Sequence, residues 1–395
     1  MKQITTLVVG LLLAAAAPTA AESADEVYTD HYRVLSHVGR QHAEQVAARL
    51  EAMIELYNRY FRFELETLAR PMRVRIFADK AQFDRYLVNT IGEQRDDFVY
   101  LHYSDPARSE LVAYDMPAPD FDYALTHQNF IQYLRSFIPN PPLWLREGFA
   151  VYFEQAQYDD DFQTVIYREN LTWLDPLKEI LDGSAGVTPL DLDEMLVMDV
   201  EAARANLELF YPQAWGMVSF LVNSERRDIN RLLWDSINAL RRESSLRQNT
   251  ERVYQRAFDW IDKDELVDAF VAYIDSRRSF STLVTEGIEA YDQGNYGTAE
   301  ELLVTATAID DSNHIPFYYL GLISFERGNH PVAESYYRKA MERGATESLT
   351  YYAMGVNAYA ANRRAEAAEF LQRSAGMEPE RFGSRVEQLL QRMDD

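Results

Sequence analysis

The chain has 395 residues, with 39 basic and 63 acidic side chains and a formal net charge of −24. That length carries two domains with a sizeable core in each, and so acidic a chain is repelled by phosphate backbones, which argues against nucleic acid as a partner. Cysteine is absent from the sequence, which excludes disulfides, thiolate metal sites and cysteine catalysis.

The N-terminus, MKQITTLVVGLLLAAAAPTAAES, has the pattern of a secretory signal peptide over residues 1–21. Lys2 gives the positive start, Ile4 to Ala17 the apolar run, and Thr19, Ala20 and Ala21 the small residues of a cleavage site. An apolar run of about 14 residues is short for a membrane helix, which needs roughly 20. The expectation is a secreted or periplasmic bacterial protein, with no integral membrane segment after signal cleavage.

Residues 28–36 alternate like a strand. Over 39–62, Val46, Leu50, Met53, Leu56 and Tyr57 recur at helical spacing. MRVRIFA, 72–78, alternates as a half-buried strand. KAQFDRYLVN reads as a short helix, and DDFVYLHYS with ELVAYDM as a strand pair. From Pro117 the chain becomes almost entirely helical. Pro117 and Pro119 suit a helix start, and Pro139, Pro141 and Pro142 end that helix and open the next.

Two stretches carry the candidate chemistry: ALTHQNFIQYL, 124–134, and PPLWLREGFAVYFE, 141–154. On a helix over 119–138, His127 and residue 131 stand one turn apart on one face. Two histidines at that spacing grip one zinc ion, and a glutamate after the first takes a proton from the metal-bound water. Here the residue after His127 is Gln128, and the second ligand position is Ile131. Glutamine has no titratable oxygen, and isoleucine has no lone pair. General-base catalysis supplies roughly 10²–10⁴-fold, so the first change alone cripples hydrolysis.

From about residue 28 to 275 the chain resembles the peptidase MA-like gluzincin family. The likeness rests on VRIFADKAQFDRYL, the paired helices, LFYPQAWGMVSFLV at 209–222, and above all PPLWLREGFAVYFE, which is similar to the family's Trp-Leu-x-Glu-Gly segment. It implies that His127 stands at the first ligand position and Glu147 at the third. With Gln128 and Ile131 between them, His127 and Glu147 form a vestigial metal site. Two ligands fall short of the three that catalytic zinc usually takes from protein. No catalytic residue and no cofactor are expected. A rebuilt site would need other donors: His102 lies in the expected strand region near the helix, His31, His37 and His42 lie further upstream, and Asp122 and Asn129 share the helix but neither stands one turn from His127.

The C-terminus repeats with a period of 34: Gly287, Gly321 and Gly355 form one column, and Ala299, Ala333 and Ala367 another. Tyr291, Phe325 and Tyr359 form a third. A fixed period with small residues where helices cross marks stacked helix pairs. The pattern resembles three tetratricopeptide repeats, near 280–313, 314–347 and 348–381. The resemblance implies a protein-binding groove lined by Val284, Ile288, Tyr291, Tyr318, Leu322, Phe325, Tyr352, Val356 and Tyr359. An apolar peptide or helix suits such residues better than a carboxylate tail.

The fold class is therefore α+β: a small, mostly antiparallel sheet with a helical gluzincin-like domain, then an α-solenoid of three tetratricopeptide repeats. The expected divisions are a signal peptide at 1–21, a peptidase MA-like domain at 22–278, repeats at 280–381 and a capping helix at 382–395. The expected function is a pseudopeptidase acting as a protein-binding adaptor or scaffold. The alternative is a divergent, active zinc metallopeptidase with replacement ligands.

Overall fold

A computed structural model describes residues 24–394, so the signal-peptide reading of residues 1–21 lies outside the described residues. By backbone contacts the chain divides into two units. The first holds residues up to 137 with 158–166; the second holds 138–157 and everything from 167 on. By these contacts the helices after residue 138 are grouped with the repeats.

In the first unit, β1 (Asp25–Tyr28) and β2 (Tyr32–Ser36) form an antiparallel hairpin. The expected single strand over 28–36 is corrected here. The Thr29 backbone N–H and its hydroxyl both donate to the Tyr32 carbonyl and close a turn. Then follow α1 (Arg40–Phe61), β3 (Met72–Phe77), α2 (Lys80–Ile91), β4 (Val99–Leu101), β5 (Glu110–Tyr114) and α3 (Asp120–Phe137). The sheet order is β1-β2-β3-β5-β4. Its centre is parallel, β2 with β3 and β3 with β5, and only the two outer pairs are antiparallel. The expected mostly antiparallel sheet is corrected to a mixed one. Parallel neighbours need a crossover connection, and α1 and α2 supply it. A two-stranded ribbon, β6 (Gln157–Asp159) with β7 (Thr164–Ile166), stands apart from this sheet.

Strand alternation decides which helix covers which face. Val34, Val74, Ile76, Leu111 and Ala113 are fully buried. On the face carrying Val112, α2 packs Phe83 and Leu87 against Phe77, Leu101 and Val112. The alternate residues Arg73 and Arg75 converge on Glu110, a buried carboxylate. It accepts from Arg73 at 2.8 Å, from Arg75 at 3.2 Å and from the Tyr86 hydroxyl at 2.6 Å. A carboxylate taken out of water needs such donors, and here it has three.

The second unit opens with α4 (Leu143–Phe153), α5 (Leu174–Leu181), α6 (Leu192–Val197), α7 (Val200–Ala205), α8 (Leu207–Asn223), α9 (Arg227–Ala239), α10 (Leu246–Val253) and α11 (Lys263–Ser276). Every residue of α4 except Arg146 is buried, as expected of a helix whose apolar residues run round every face. It crosses α8 at Gly148, where an added Cβ would lie 2.4 Å from the Ala214 carbonyl oxygen. The repeats follow as the pairs α12 (Phe280–Asp292) and α13 (Tyr296–Ile309), α14 (His314–Glu326) and α15 (His330–Glu342), and α16 (Glu347–Ala360) and α17 (Arg364–Met377). The last helix, α18 (Pro379–Asp394), begins three residues before the expected cap.

Helix α5 fastens the repeats to the helices before them. Asp175 accepts from the hydroxyls of Ser279 and Ser281, both at 2.8 Å, at the start of α12. Lys178 donates to the carbonyls of Asp275 and Arg277 at the end of α11.

Gly148→Ala is expected to destabilise the protein by about 1–3 kcal/mol, because the obstacle is backbone and cannot turn aside. Gly383→Ala, in α18 with nothing within 4 Å of the new methyl, is expected to stabilise by about 0.5–1 kcal/mol through helix propensity. Denaturant titration of both variants checks the pair.

Candidate functional site

Helix α3 carries the first candidate stretch, and its amide side chains reach the sheet. Gln128 Oε1 accepts from the Tyr100 backbone N–H at 3.1 Å. Asn129 donates to the Tyr32 hydroxyl at 2.9 Å, and Gln132 donates to the Arg73 carbonyl at 2.8 Å. Three amides within five residues thus hold β4, β2 and β3 in turn. Ile131 is 8% exposed and belongs to the buried apolar set.

The bond to Tyr100 has a further meaning. Strand β4 is an edge of the sheet, and an edge offers free backbone groups to which an extended peptide can add. Gln128 already occupies the Tyr100 donor on that edge. The amide oxygen at this position is spent on the strand.

The other histidines of the first unit have partners of their own. His31 Nδ1 lies 2.7 Å from a Glu51 oxygen. His42 Nδ1 lies 3.1 Å from the Ser36 hydroxyl, and burial lowers the His42 pKa. His37 stacks on Phe77 at 4.9 Å, and His102 lies 5.8 Å from the Tyr100 ring. Among the described residues, no group of three or more histidine and acidic side chains is placed to hold a metal ion.

In the second unit, Glu147 on α4 is 8% exposed. Its Oε1 accepts from Arg146 at 2.6 Å through Nε and at 2.5 Å through the terminal nitrogen. A carboxylate this well covered requires such a cation. His127 belongs to the first unit and Glu147 to the second.

The expected groove residues occupy the first helices of the three repeats. Val284 is buried and packs with Leu283 and Ala306, so it is core. The other eight, Ile288, Tyr291, Tyr318, Leu322, Phe325, Tyr352, Val356 and Tyr359, are half-buried. Tyr291 meets Tyr319 edge-on at 5.5 Å, and Tyr318 approaches Tyr337 at 5.8 Å. Burial pushes the Tyr291 phenol up to about 12, with the nearby Glu326 adding to the effect. Tyr352 stacks on Phe382 of α18 at 5.1 Å, so the terminal helix covers part of this row.

No family model matches the chain, and no curated protein matches it. Among solved structures, the first TPR of Spaghetti (RPAP3), bound to the HSP90 peptide SRMEEVD, aligns with 29% of this chain and 94% of its own. The identity is 20% and the TM-score 0.27. So slight a likeness bears no weight on function, and the peptidase likeness rests on the residues alone.

Sequence reasoning missed Asn129 and Gln132 as anchors. The signal was three amides within five residues, interleaved with the apolar Phe130 and Ile131. Gln128→Ala removes the acceptor on β4, and the Tyr100 amide is then expected to exchange with solvent about 5-fold faster, for a bond of about 1 kcal/mol. Gln128→Glu keeps an acceptor oxygen and is expected to leave the exchange near its original rate. Hydrogen exchange of the segment 97–103 reads both.

Proposed function

We propose that the protein is a protein-binding adaptor or scaffold, a pseudopeptidase whose peptidase-like frame carries a repeat stack and no longer performs hydrolysis. The observation that carries this reading is the bond from the Tyr100 N–H to Gln128. The side chain at the general-base position closes the sheet edge instead of activating water. Ile131, apolar and buried, stands where a second ligand would be needed.

Binding falls to the repeats. Eight of the nine groove positions are half-buried aromatic and aliphatic side chains, able to cover an apolar helix or extended segment without first unfolding. Aromatic side chains supply large contact area at low entropic cost. The work is done in a secreted or periplasmic setting; the support is the signal-peptide pattern of residues 1–21. No cofactor forms part of the proposal. Among the described residues, no helix is long and apolar enough to cross a membrane.

Two experiments test the two halves. In the first, zinc is titrated calorimetrically into the unaltered chain and into the double variant Gln128→Glu, Ile131→His. The proposal expects stoichiometric zinc in the variant and none in the parent. Zinc bound by the parent and lost with His127→Ala or Glu147→Ala would favour the metallopeptidase reading. In the second, Tyr318→Ala with Phe325→Ala is expected to remove the proteins that co-purify with the unaltered chain while leaving circular dichroism unchanged. An unchanged set of co-purifying proteins contradicts the adaptor half.

A further inference from the structure

The second unit contains a cavity that belongs neither to the peptidase-like helices nor to the repeat groove. Its volume is about 480 Å³, within the range of small-molecule sites. It is bounded by segment 167–171, by the junction 276–278 and by the first repeat. Arg168, Arg277 and Arg278 line it together with Leu171, Leu283 and Ile309.

The charge on these walls is unusual for this chain. Three arginines and one carboxylate, Glu169, line the cavity, on a protein of net charge −24. Glu169 is committed: it accepts from the Ser219 hydroxyl and from Arg277 at 2.6 Å. Its side chain is 11% exposed. Burial also raises its carboxyl above the usual carboxylate range, against the pull of Arg277. Arg278 is held by Glu286 at 3.2 Å and by the carbonyls of Asp275 and Arg277. Arg168 is held less closely. It lies 3.5 Å from Asp311, beyond the roughly 2.7–2.9 Å of a close charge-assisted bond. Asp311 is itself 57% exposed at its side chain. The guanidinium of Arg168 therefore retains capacity for another oxyanion.

We propose that this cavity binds a small amphiphilic organic anion. Its oxyanion head, a carboxylate or a phosphate monoester, sits on Arg168, with Arg277 and Arg278 adding positive potential. Its apolar body lies against Leu171, Leu283 and Ile309. An inorganic anion would leave the aliphatic wall wet, and an uncharged apolar molecule would leave the guanidinium without its partner. The site lies where α5 fastens the repeats, so an occupied cavity stiffens that junction.

Calorimetric titration of the whole chain tests this with four probes: octanoate, octyl phosphate, octanamide and acetate. At least one of the two charged octyl probes is expected to bind saturably, and the tighter one identifies the head group. Octanamide and acetate are expected to bind at least 10-fold more weakly. Arg168→Gln should weaken the charged probe at least 5-fold while leaving the melting temperature unchanged, because its resident ion pair is loose and exposed. Arg247→Gln, an exposed arginine that does not line the cavity, should change nothing. Octanamide binding as tightly as octanoate overturns the proposal, as does acetate doing so. It also falls if Arg168→Gln has no effect, if Arg247→Gln has an equal one, or if neither charged probe saturates below about 10 mM.

Discussion

The second unit depends on helices that touch at distances only a missing side chain allows. At Gly287, an added Cβ would meet Leu303 at 2.8 Å; at Gly321 it would meet Tyr337 at 2.5 Å; at Gly355 it would meet Leu371 at 2.7 Å. Each glycine stands on the first helix of a pair and meets a residue sixteen positions later on the second. The same economy recurs outside the repeats, where Gly148 brings α4 against the backbone of α8. Close approach lets Leu303, Tyr337 and Leu371 fill the space between paired helices as buried core, and interiors packed to that density tolerate little change. Once the pairs are fixed, the first helices present a half-buried aromatic row at a constant 34-residue interval.

The first unit depends on a different device. Its α3 docks on the sheet through amides as well as through apolar contact, and each amide meets a named strand group. A buried polar contact of this kind costs little when satisfied and a great deal when broken. A residue position suited to activating water is equally suited to bonding a strand edge, since both need an oxygen acceptor at the same place. Replacing a carboxylate by an amide keeps the acceptor and removes the base. On the reading proposed here, that exchange turns a catalytic helix into a structural one without altering its packing.

Much of this was legible in the sequence, for physical reasons. The 34-residue period set the repeat boundaries to within a few residues, because small residues must recur wherever helices cross. The alternation of MRVRIFA and the spacing of Val46, Leu50, Met53 and Tyr57 located β3 and α1, since burial imposes those periods. Three features were not legible. The turn at Thr29 carries no glycine or proline to mark it, so the strand expected over 28–36 ran through it and most of β1 was missed. The parallel centre of the sheet depends on which strands the crossover helices bring together, and short strands do not encode their neighbours. The cavity at the junction joins Arg168 to Arg277 and Arg278 across more than a hundred residues, and only the folded chain shows that they share one wall.

Whether the chain performs hydrolysis decides between the proposed adaptor and its metallopeptidase alternative. The most direct measurement is turnover of an unfolded, fluorescence-quenched protein substrate by the unaltered chain, with zinc supplied and with a chelator added. The account predicts no turnover above the background rate and no response to either addition. Turnover that the chelator abolishes and zinc restores, and that His127→Ala removes, would contradict it.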